Sequence, residues 1–271
     1  MDMLEIARRG LVLLGCGKMG SALLQGWLAE GVPEAAIWVI DPQPSDWLKS
    51  LQGVHLNAEL PPDPAVVVVA VKPQMMDEAL PSLRGFGEGR TIFLSIAAGT
   101  PISTFESVLG AATPVIRAMP NTPAAVGRGI TALVGNARVD EAAMTLAEGL
   151  LSAVGQTVRL ADESQMDAVT AVSGSGPAYV FLLIESLAAA GEAEGLAPDL
   201  ALRLARATVA GAGALAEASE ESPAQLRINV TSPGGTTAAA LEVLMDKEAG
   251  LPGLMRRAVR AAAARSRELG K

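Results

Sequence analysis

Apolar residues in the first part of the chain fall into short unbroken runs, each closed by glycine or proline. Leu11-Val12-Leu13-Leu14 leads directly into Gly15-Cys16-Gly17-Lys18-Met19-Gly20. Residues 21–28 then take up helical spacing, with Ala22, Leu23 and Trp27 on one face. Further runs predict strands over 37–40, 66–71, 91–97 and 114–119, and shorter strands over 130–134 and 156–160 around a helix over 140–153. The run from Val66 to Val71 is continuous rather than alternating, as in a central parallel strand covered on both faces. Strands alternating with helices predict a doubly wound α/β domain built on a mostly parallel sheet.

The pattern changes near Ala161, after which no strand is expected. Helices are predicted over 162–171, 178–194, 198–218, 238–245 and 254–269, the last packing on the bundle. Ser173-Gly174-Ser175-Gly176-Pro177 separates the first two, and Pro177 suits the first turn of the second. The helix over 178–194 is apolar on all sides, with Tyr179, Val180, Phe181, Leu182, Leu183, Ile184 and Leu187, and must be buried. Ala207, Ala210, Gly211 and Ala214 allow a close helix crossing. Burial against another subunit and burial within the chain both satisfy this pattern, and the small size of the segment favours the first. The expected division is a dinucleotide-binding domain over 1–160 and a helical domain over 161–271.

Strand, glycine turn and helix in that order are the context of a dinucleotide fingerprint. Gly15 permits the tight turn, Gly17 lets backbone approach a pyrophosphate, and Gly20 allows close helix–strand packing. The helix start then turns free amides and the positive dipole end toward the diphosphate. Asp41 follows about twenty residues later, where a carboxylate grips ribose hydroxyls; a plain turn aspartate before Pro42 fits equally. Lys72, at the end of the 66–71 run, reads either as a cofactor contact or as a solvated loop lysine. Pro120-Asn121-Thr122-Pro123 reads as a wall for a nicotinamide ring or as a turn. From Asn229 to Thr237 the chain is Asn-Val-Thr-Ser-Pro-Gly-Gly-Thr-Thr and runs into a predicted helix. Its open amides suit a carboxylate, with ordinary capping by Thr236 or Thr237 as the alternative.

Composition narrows the field. The formal charge is −8 and aromatics are 3%, which gives no electrostatic footprint for nucleic acid. The single cysteine, Cys16, excludes an intrachain disulfide, and with His55 as the one histidine no zinc site is expected. His55 has no nearby acidic or serine partner in sequence and reads as a surface or loop residue. No uninterrupted apolar stretch reaches the roughly eighteen residues of a membrane span. The opening ten residues lack a signal-like core, so a soluble cytoplasmic protein is expected.

Five stretches together resemble the pyrroline-5-carboxylate reductases, which catalyse the last step of proline biosynthesis. They are the loop from Gly15 to Gly20, Ala70-Val71-Lys72-Pro73, Arg117-Ala118-Met119-Pro120-Asn121-Thr122-Pro123, Val172 to Tyr179, and Asn229 to Thr237; the last is the most specific. The resemblance implies a Rossmann-type domain followed by an all-α dimerisation domain whose helices interleave with a partner's, and an active site built from two chains. It implies NADH or NADPH held by Gly15, Cys16, Gly17, Lys18, Met19, Gly20, Ala70, Val71, Lys72, Pro73, Ala97, Ala98, Gly99 and Asn229, with Asp41 from the residue reading. It places substrate against Gly234, Gly235, Thr236 and Thr237, near Glu163. Two departures stand out: Cys16 replaces a smaller residue, and Leu60 stands where relatives often have an asparagine on the cofactor.

The expected reaction is hydride addition to the protonated C=N of a cyclic imine, which needs no strong protein acid. Thr237 is expected to hydrogen-bond the ring nitrogen, and Glu163 to favour its cationic form. Two rivals are a related imine or 2-hydroxy acid reductase, and a non-catalytic nucleotide-binding scaffold. The choice of NADH or NADPH and any assembly beyond a homodimer stay undecided at this level.

Overall fold

The computed structural model describes residues 3–270; Met1, Asp2 and Lys271, which the expected domain ranges include, lie outside the described residues. Eight strands form one sheet: β1 (Leu11–Leu14), β2 (Ile37–Ile40), β3 (His55–Leu56), β4 (Val66–Val69), β5 (Ile92–Ser95), β6 (Val115–Met119), β7 (Gly129–Gly135) and β8 (Gly155–Arg159). Their order is β3-β2-β1-β4-β5-β6-β7-β8. Neighbours from β3 to β6 are all parallel. The chain builds outward from β1 to β3 and then returns to β1's other side with β4, which leaves a crevice at the carboxyl ends of β1, β2 and β4.

One step breaks the parallel run. β7 is antiparallel to β6, because the connection over 120–128 is shorter than the dozen or more residues a crossover needs. β8 then pairs parallel with β7 after the Glu141–Ser152 helix. β3 lay outside the expected strands. His55 sits in it and not in a loop: its ring stacks on Trp38 with centroids 4.3 Å apart, and its Nε2 lies 3.1 Å from the Ala35 carbonyl.

Alternation along the strands builds a core on each face. Leu11, Leu13, Val66, Val68, Leu94 and Ile116 join Leu23, Leu24 and Trp27 in one layer. Val12, Leu14, Val67, Val69, Phe93 and Val115 join Met76, Leu80 and Phe105 in the other. Each large side chain so buried contributes about 1.5–3 kcal/mol. Trp27 also donates its indole N–H to the Leu150 carbonyl at 2.8 Å, tying the Lys18–Ala29 helix to the Glu141–Ser152 helix.

Contacts divide the chain into two compact units, Ser175–Ala262 and the remainder. This division falls later than the expected 160/161 boundary because Glu163 and Ser173 are bonded to Arg117 and Asn121 of the sheet-bearing unit. The residues from Ala263 on also belong there rather than to the bundle: Ser266 is buried and donates to Asp167 at 2.6 Å. The expected interruption is a π-helical turn over Thr170–Gly174 and a bend at Ser175, followed by the Gly176–Ala193 helix with Pro177 in its first turn. The wider turn suits a proline ring that an α-helix would press against the carbonyl four residues back.

In Ser175–Ala262 the main helices are Gly176–Ala193 and Pro198–Ala218. Among the described residues of this unit, the buried apolar side chains are Ala188, Ala201 and Ala205. The close crossing is at Gly191, where a Cβ would stand 3.4 Å from that of Ala201. Ala207, Ala210, Gly211 and Ala214, expected to allow a close crossing, are exposed in this chain, and a Cβ built on Gly211 meets no atom within 4 Å. Phe181 and Leu182 are each 61% exposed, and Val180, Leu183, Leu187 and Leu215 are open as well.

Candidate active site

Register sets the geometry of the sheet edge. Leu14 pairs with Ile40 and with Val69, and Val69 pairs with Ser95. The next residues, Gly15, Asp41, Ala70 and Ile96, therefore stand in one row at the carboxyl end. A cavity of about 530 Å³ opens there, walled by Cys16, Gly17 and Lys18 after β1, Asp41 and Gln43 after β2, and Ala70, Val71 and Lys72 after β4.

The three glycines differ physically. Gly15 adopts φ +91°, and a Cβ there would crowd the Ala70 backbone at 3.0 Å. A Cβ on Gly20 would run into the Gly15 carbonyl oxygen, so the helix can lie this close to β1 only without one. Gly17 caps the Lys18–Ala29 helix without a side-chain bond, and a Cβ built on it meets no atom within 4 Å. Open space and unpaired helix-start amides thus coincide beside the cavity.

Asp41 clamps this turn. One carboxylate oxygen accepts from the Cys16 amide and the other from the Gln43 amide, both at 2.7 Å. Asn57, at φ +51°, bonds both the amide and the carbonyl of Asp41 at 2.9 Å. The bond to Gln43, two residues on, makes Asp41 a turn aspartate, and the residue also lines the cavity. Cys16 is 5% exposed. Burial pushes its thiol above the ordinary range, the Ser21 hydroxyl partly offsets this, and the Asp41 charge adds to it.

The remaining expected cofactor residues separate into groups. Lys18 and Lys72 are exposed and have no partner among the described residues. Met19 packs against the core, so only its backbone is available at the turn. Gly20 and Pro73 do not line the cavity. Ala97, Ala98 and Gly99 follow β5 on the same edge but outside the cavity; Ala97 is buried and donates its amide to Ser95 Oγ at 3.3 Å. Gly99, at φ +78°, lies against Leu269.

Glu163 is fixed by two donors. Its Oε1 accepts from Arg117 at 2.8 Å and from the Ile102 amide, at the start of the Ile102–Leu109 helix, at 2.9 Å. Arg117 is nearly buried, with 10% of its side chain exposed. Asn121 holds the proline-bracketed loop, accepting from the Ile130 amide and donating to the Ser173 carbonyl. No local pattern marks Arg117, Asn57 or Asn121 for these tasks, because each partner is distant in sequence.

In the helical unit, Gly234 takes φ +67°, and Gly235 caps the Thr236–Leu244 helix with no side-chain bond. The Gly235 amide is used by the Ser232 carbonyl. The amides of Thr236, Thr237 and Ala238 begin the helix and have no intrahelical acceptor. Capping by Thr236 or Thr237 is therefore not what closes this end. Asn229 is engaged on both sides, donating to Glu221 and accepting from Gln225 at 2.8 Å. Among the described residues no group of His, Cys, Asp or Glu is arranged to hold a metal ion.

A doubly wound sheet with this glycine turn and acidic clamp at its switch point is the framework of the dinucleotide-binding oxidoreductases. Residues 10–99 match the family described as NADP oxidoreductase, coenzyme F420-dependent, and residues 163–269 match pyrroline-5-carboxylate reductase dimerisation. The chain is 43% identical over 266 residues to a pyrroline-5-carboxylate reductase of Pseudomonas aeruginosa, covering 96% of this chain and 97% of that one. It superposes on the structure of a pyrroline-5-carboxylate reductase from Coxiella burnetii with a TM-score of 0.91 at 37% identity, over 97% of this chain and 99% of that one. A Plasmodium falciparum pyrroline carboxylate reductase with NADP bound gives 0.83 at 29% identity, over 97% and 98%. The chain belongs to the pyrroline-5-carboxylate reductase family.

Proposed function

We propose that the chain reduces 1-pyrroline-5-carboxylate to L-proline with NADH or NADPH as a soluble, cytoplasmic homo-oligomer. The observation that carries this reading is family likeness over nearly the whole chain, spanning both the glycine cradle and the 229–237 loop. The open space at Gly17 and the unpaired amides beside it suit a pyrophosphate, so the residues present fit the cofactor. When bound, the nicotinamide supplies the hydride.

The chain's own groups then bind and orient. Residues Gly15 to Gly20 hold the diphosphate, Asp41 the adenosine ribose, and Ala70 to Pro73 with Ala97 to Gly99 the remainder of the cofactor. Asn229 reaches the cofactor by exchanging its bonds to Glu221 and Gln225. The amides of Thr236, Thr237 and Ala238 take the substrate carboxylate, with Gly234 and Gly235 shaping the approach. The Thr237 hydroxyl bonds the ring nitrogen. Glu163 has one oxygen committed to Arg117 and Ile102, and its other oxygen favours the cationic ring nitrogen. Charge on that nitrogen makes the adjacent carbon electrophilic, so orientation replaces a strong acid. A 2-hydroxy acid reductase needs such an acid, and His55, stacked on Trp38, is not placed to serve.

No nucleic acid or membrane has a part in this reading. The Glu163–Ala193 stretch has the length and hydropathy of a membrane span, with 6% of its apolar window buried. Covering that face with a second copy accounts for it equally, in the region that matches the dimerisation family. The test is oxidation of NADH and NADPH by the purified protein with the cyclic imine, scored by proline formed. Tight dinucleotide binding without proline from any cyclic imine would leave the scaffold reading in its place.

A further inference from the structure

Family membership leaves the choice between the two dinucleotides open. We propose that Asp41 makes this chain selective for NADH, because its carboxylate stands where a 2′-phosphate has to enter and no cation in the loop after β2 offsets it. The inference rests on the cavity being the dinucleotide cradle.

Position comes first. Asp41 directly follows β2, the neighbour of β1 on the side away from β4. With a diphosphate at the Gly15–Gly20 turn after β1, the adenosine ribose lies over the end of β2. The carboxylate cannot swing aside. Asp41 is 9% exposed as a residue, and each carboxylate oxygen is held by a backbone amide at 2.7 Å. Moving it would release the glycine turn through Cys16.

Hydrogen-bond chemistry points the same way. A carboxylate has about four acceptor sites, of which two are used here. The others can receive the 2′- and 3′-hydroxyls of NADH. A 2′-phosphate offers only acceptors and charge of the same sign, so it can neither bond this group nor avoid its field.

Two cations line the cavity, Lys18 and Lys72, and neither follows β2. Pro42, Gln43, Pro44 and Ser45 carry none, and Lys49 is paired with Asp46 at 3.4 Å. Lys18 opens the helix at the diphosphate position. Lys72 follows β4, on the far side of β1 from Asp41. The end of β4 stands two strand spacings, about 10 Å, from the end of β2, so Lys72 is set toward the diphosphate side of the cavity. Gln43 and Ser45 add neutral polar groups that do not cancel a fixed charge.

The experiment compares dissociation constants of NADH and NADPH by fluorescence titration of the full-length wild-type protein, with the KM ratio for the cyclic imine reaction as a second readout. NADH is expected to bind at least about tenfold tighter, equivalent to 1.4 kcal/mol. Equal or tighter NADPH binding overturns the proposal. Asp41→Asn is expected to shrink the ratio about tenfold or more. Because that change also touches the turn, Gln43→Arg provides a second variant on an exposed side chain whose backbone amide is kept; it should tighten NADPH about tenfold relative to NADH. A ratio unmoved in both variants refutes the role of Asp41. NADPH preference with proline formed sinks only this inference, whereas NADH-selective binding with no proline sinks only the proposed reaction.

Discussion

Gly17→Ala separates cofactor binding from folding more sharply than any other single change at the cradle. Gly17 has φ −70°, which alanine adopts freely, and its added methyl meets nothing within 4 Å. Losing glycine at a helix cap costs up to about 1 kcal/mol, and the stiffer unfolded chain returns about 0.4–1 kcal/mol. At about 2–4 °C per kcal/mol, the melting temperature should stay within about 2 °C of wild type. A diphosphate resting on this turn would instead meet the methyl and lose at least one charge-assisted amide bond. That bond is worth about 1.5–3 kcal/mol, or roughly a 10- to 150-fold weaker dissociation constant. Gly20→Ala should show the opposite balance. Its methyl strikes the Gly15 carbonyl oxygen, and the helix cannot retreat because Leu23, Leu24 and Trp27 are fully buried. Overpacking against backbone, about 2–3 kcal/mol, exceeds the helix-propensity gain of about 1 kcal/mol, and Tm should fall by about 2–8 °C. Thermal melts and fluorescence titration on both variants decide it. If Gly17→Ala binds NADH and NADPH as wild type does, no diphosphate lies on this turn.

Thr237→Ala should lower turnover roughly ten- to thousandfold, the loss of one to two good hydrogen bonds, with the dinucleotide dissociation constant unchanged; wild-type kinetics would remove Thr237 from the mechanism. Burial holds the Cys16 thiol above the ordinary range. Modification by an aromatic disulfide should therefore keep accelerating beyond the pH at which a free thiol levels off, and should slow when dinucleotide is added. The same shift makes its contribution to stability complete below the unfolded thiol's pKa and lost as pH rises through the folded value. A reaction rate that levels off like that of a free thiol contradicts the burial argument. Phe181→Asp places a charge on the exposed apolar face and should yield a smaller species in sedimentation velocity; an unchanged sedimentation coefficient would locate the subunit contact elsewhere.

The parts of this site that follow from local chemistry were legible in the sequence. Unbroken valine and leucine runs mark strands covered on both faces, and each run's end marks the ligand edge, as the shared row of Gly15, Asp41 and Ala70 shows. The direction of β7 was legible too, had the length of the 120–128 connection been weighed against the demands of a crossover. What stayed hidden is the set of bonds that hold the edge in shape. Arg117 and Glu163 are 46 positions apart, Asn121 and Ser173 are 52 apart, and Asp41 and Cys16 are 25 apart. Such pairs leave no periodicity, and only the folded register brings them together. β3 escaped for a different reason: two residues are too few to show alternation, and Trp38 rather than sequence pattern holds His55 in place.

The helical unit shows why assembly and chemistry are coupled. Its buried apolar side chains among the described residues are three alanines, whereas Phe181, Leu182, Leu183 and Leu215 face outward. Fixing each backbone residue costs about 1–2 kcal/mol, and three buried alanines with a few half-buried aliphatic side chains such as Ile184 and Leu241 fall short of that over a unit spanning Ser175–Ala262. The missing burial has to come from another copy, in the region matching the dimerisation family. The Gly234–Gly235 turn and the open amides after it belong to this same unit. Their arrangement therefore depends on subunit contact, and a change that weakens the contact should reduce turnover even when it lies far from every reacting atom.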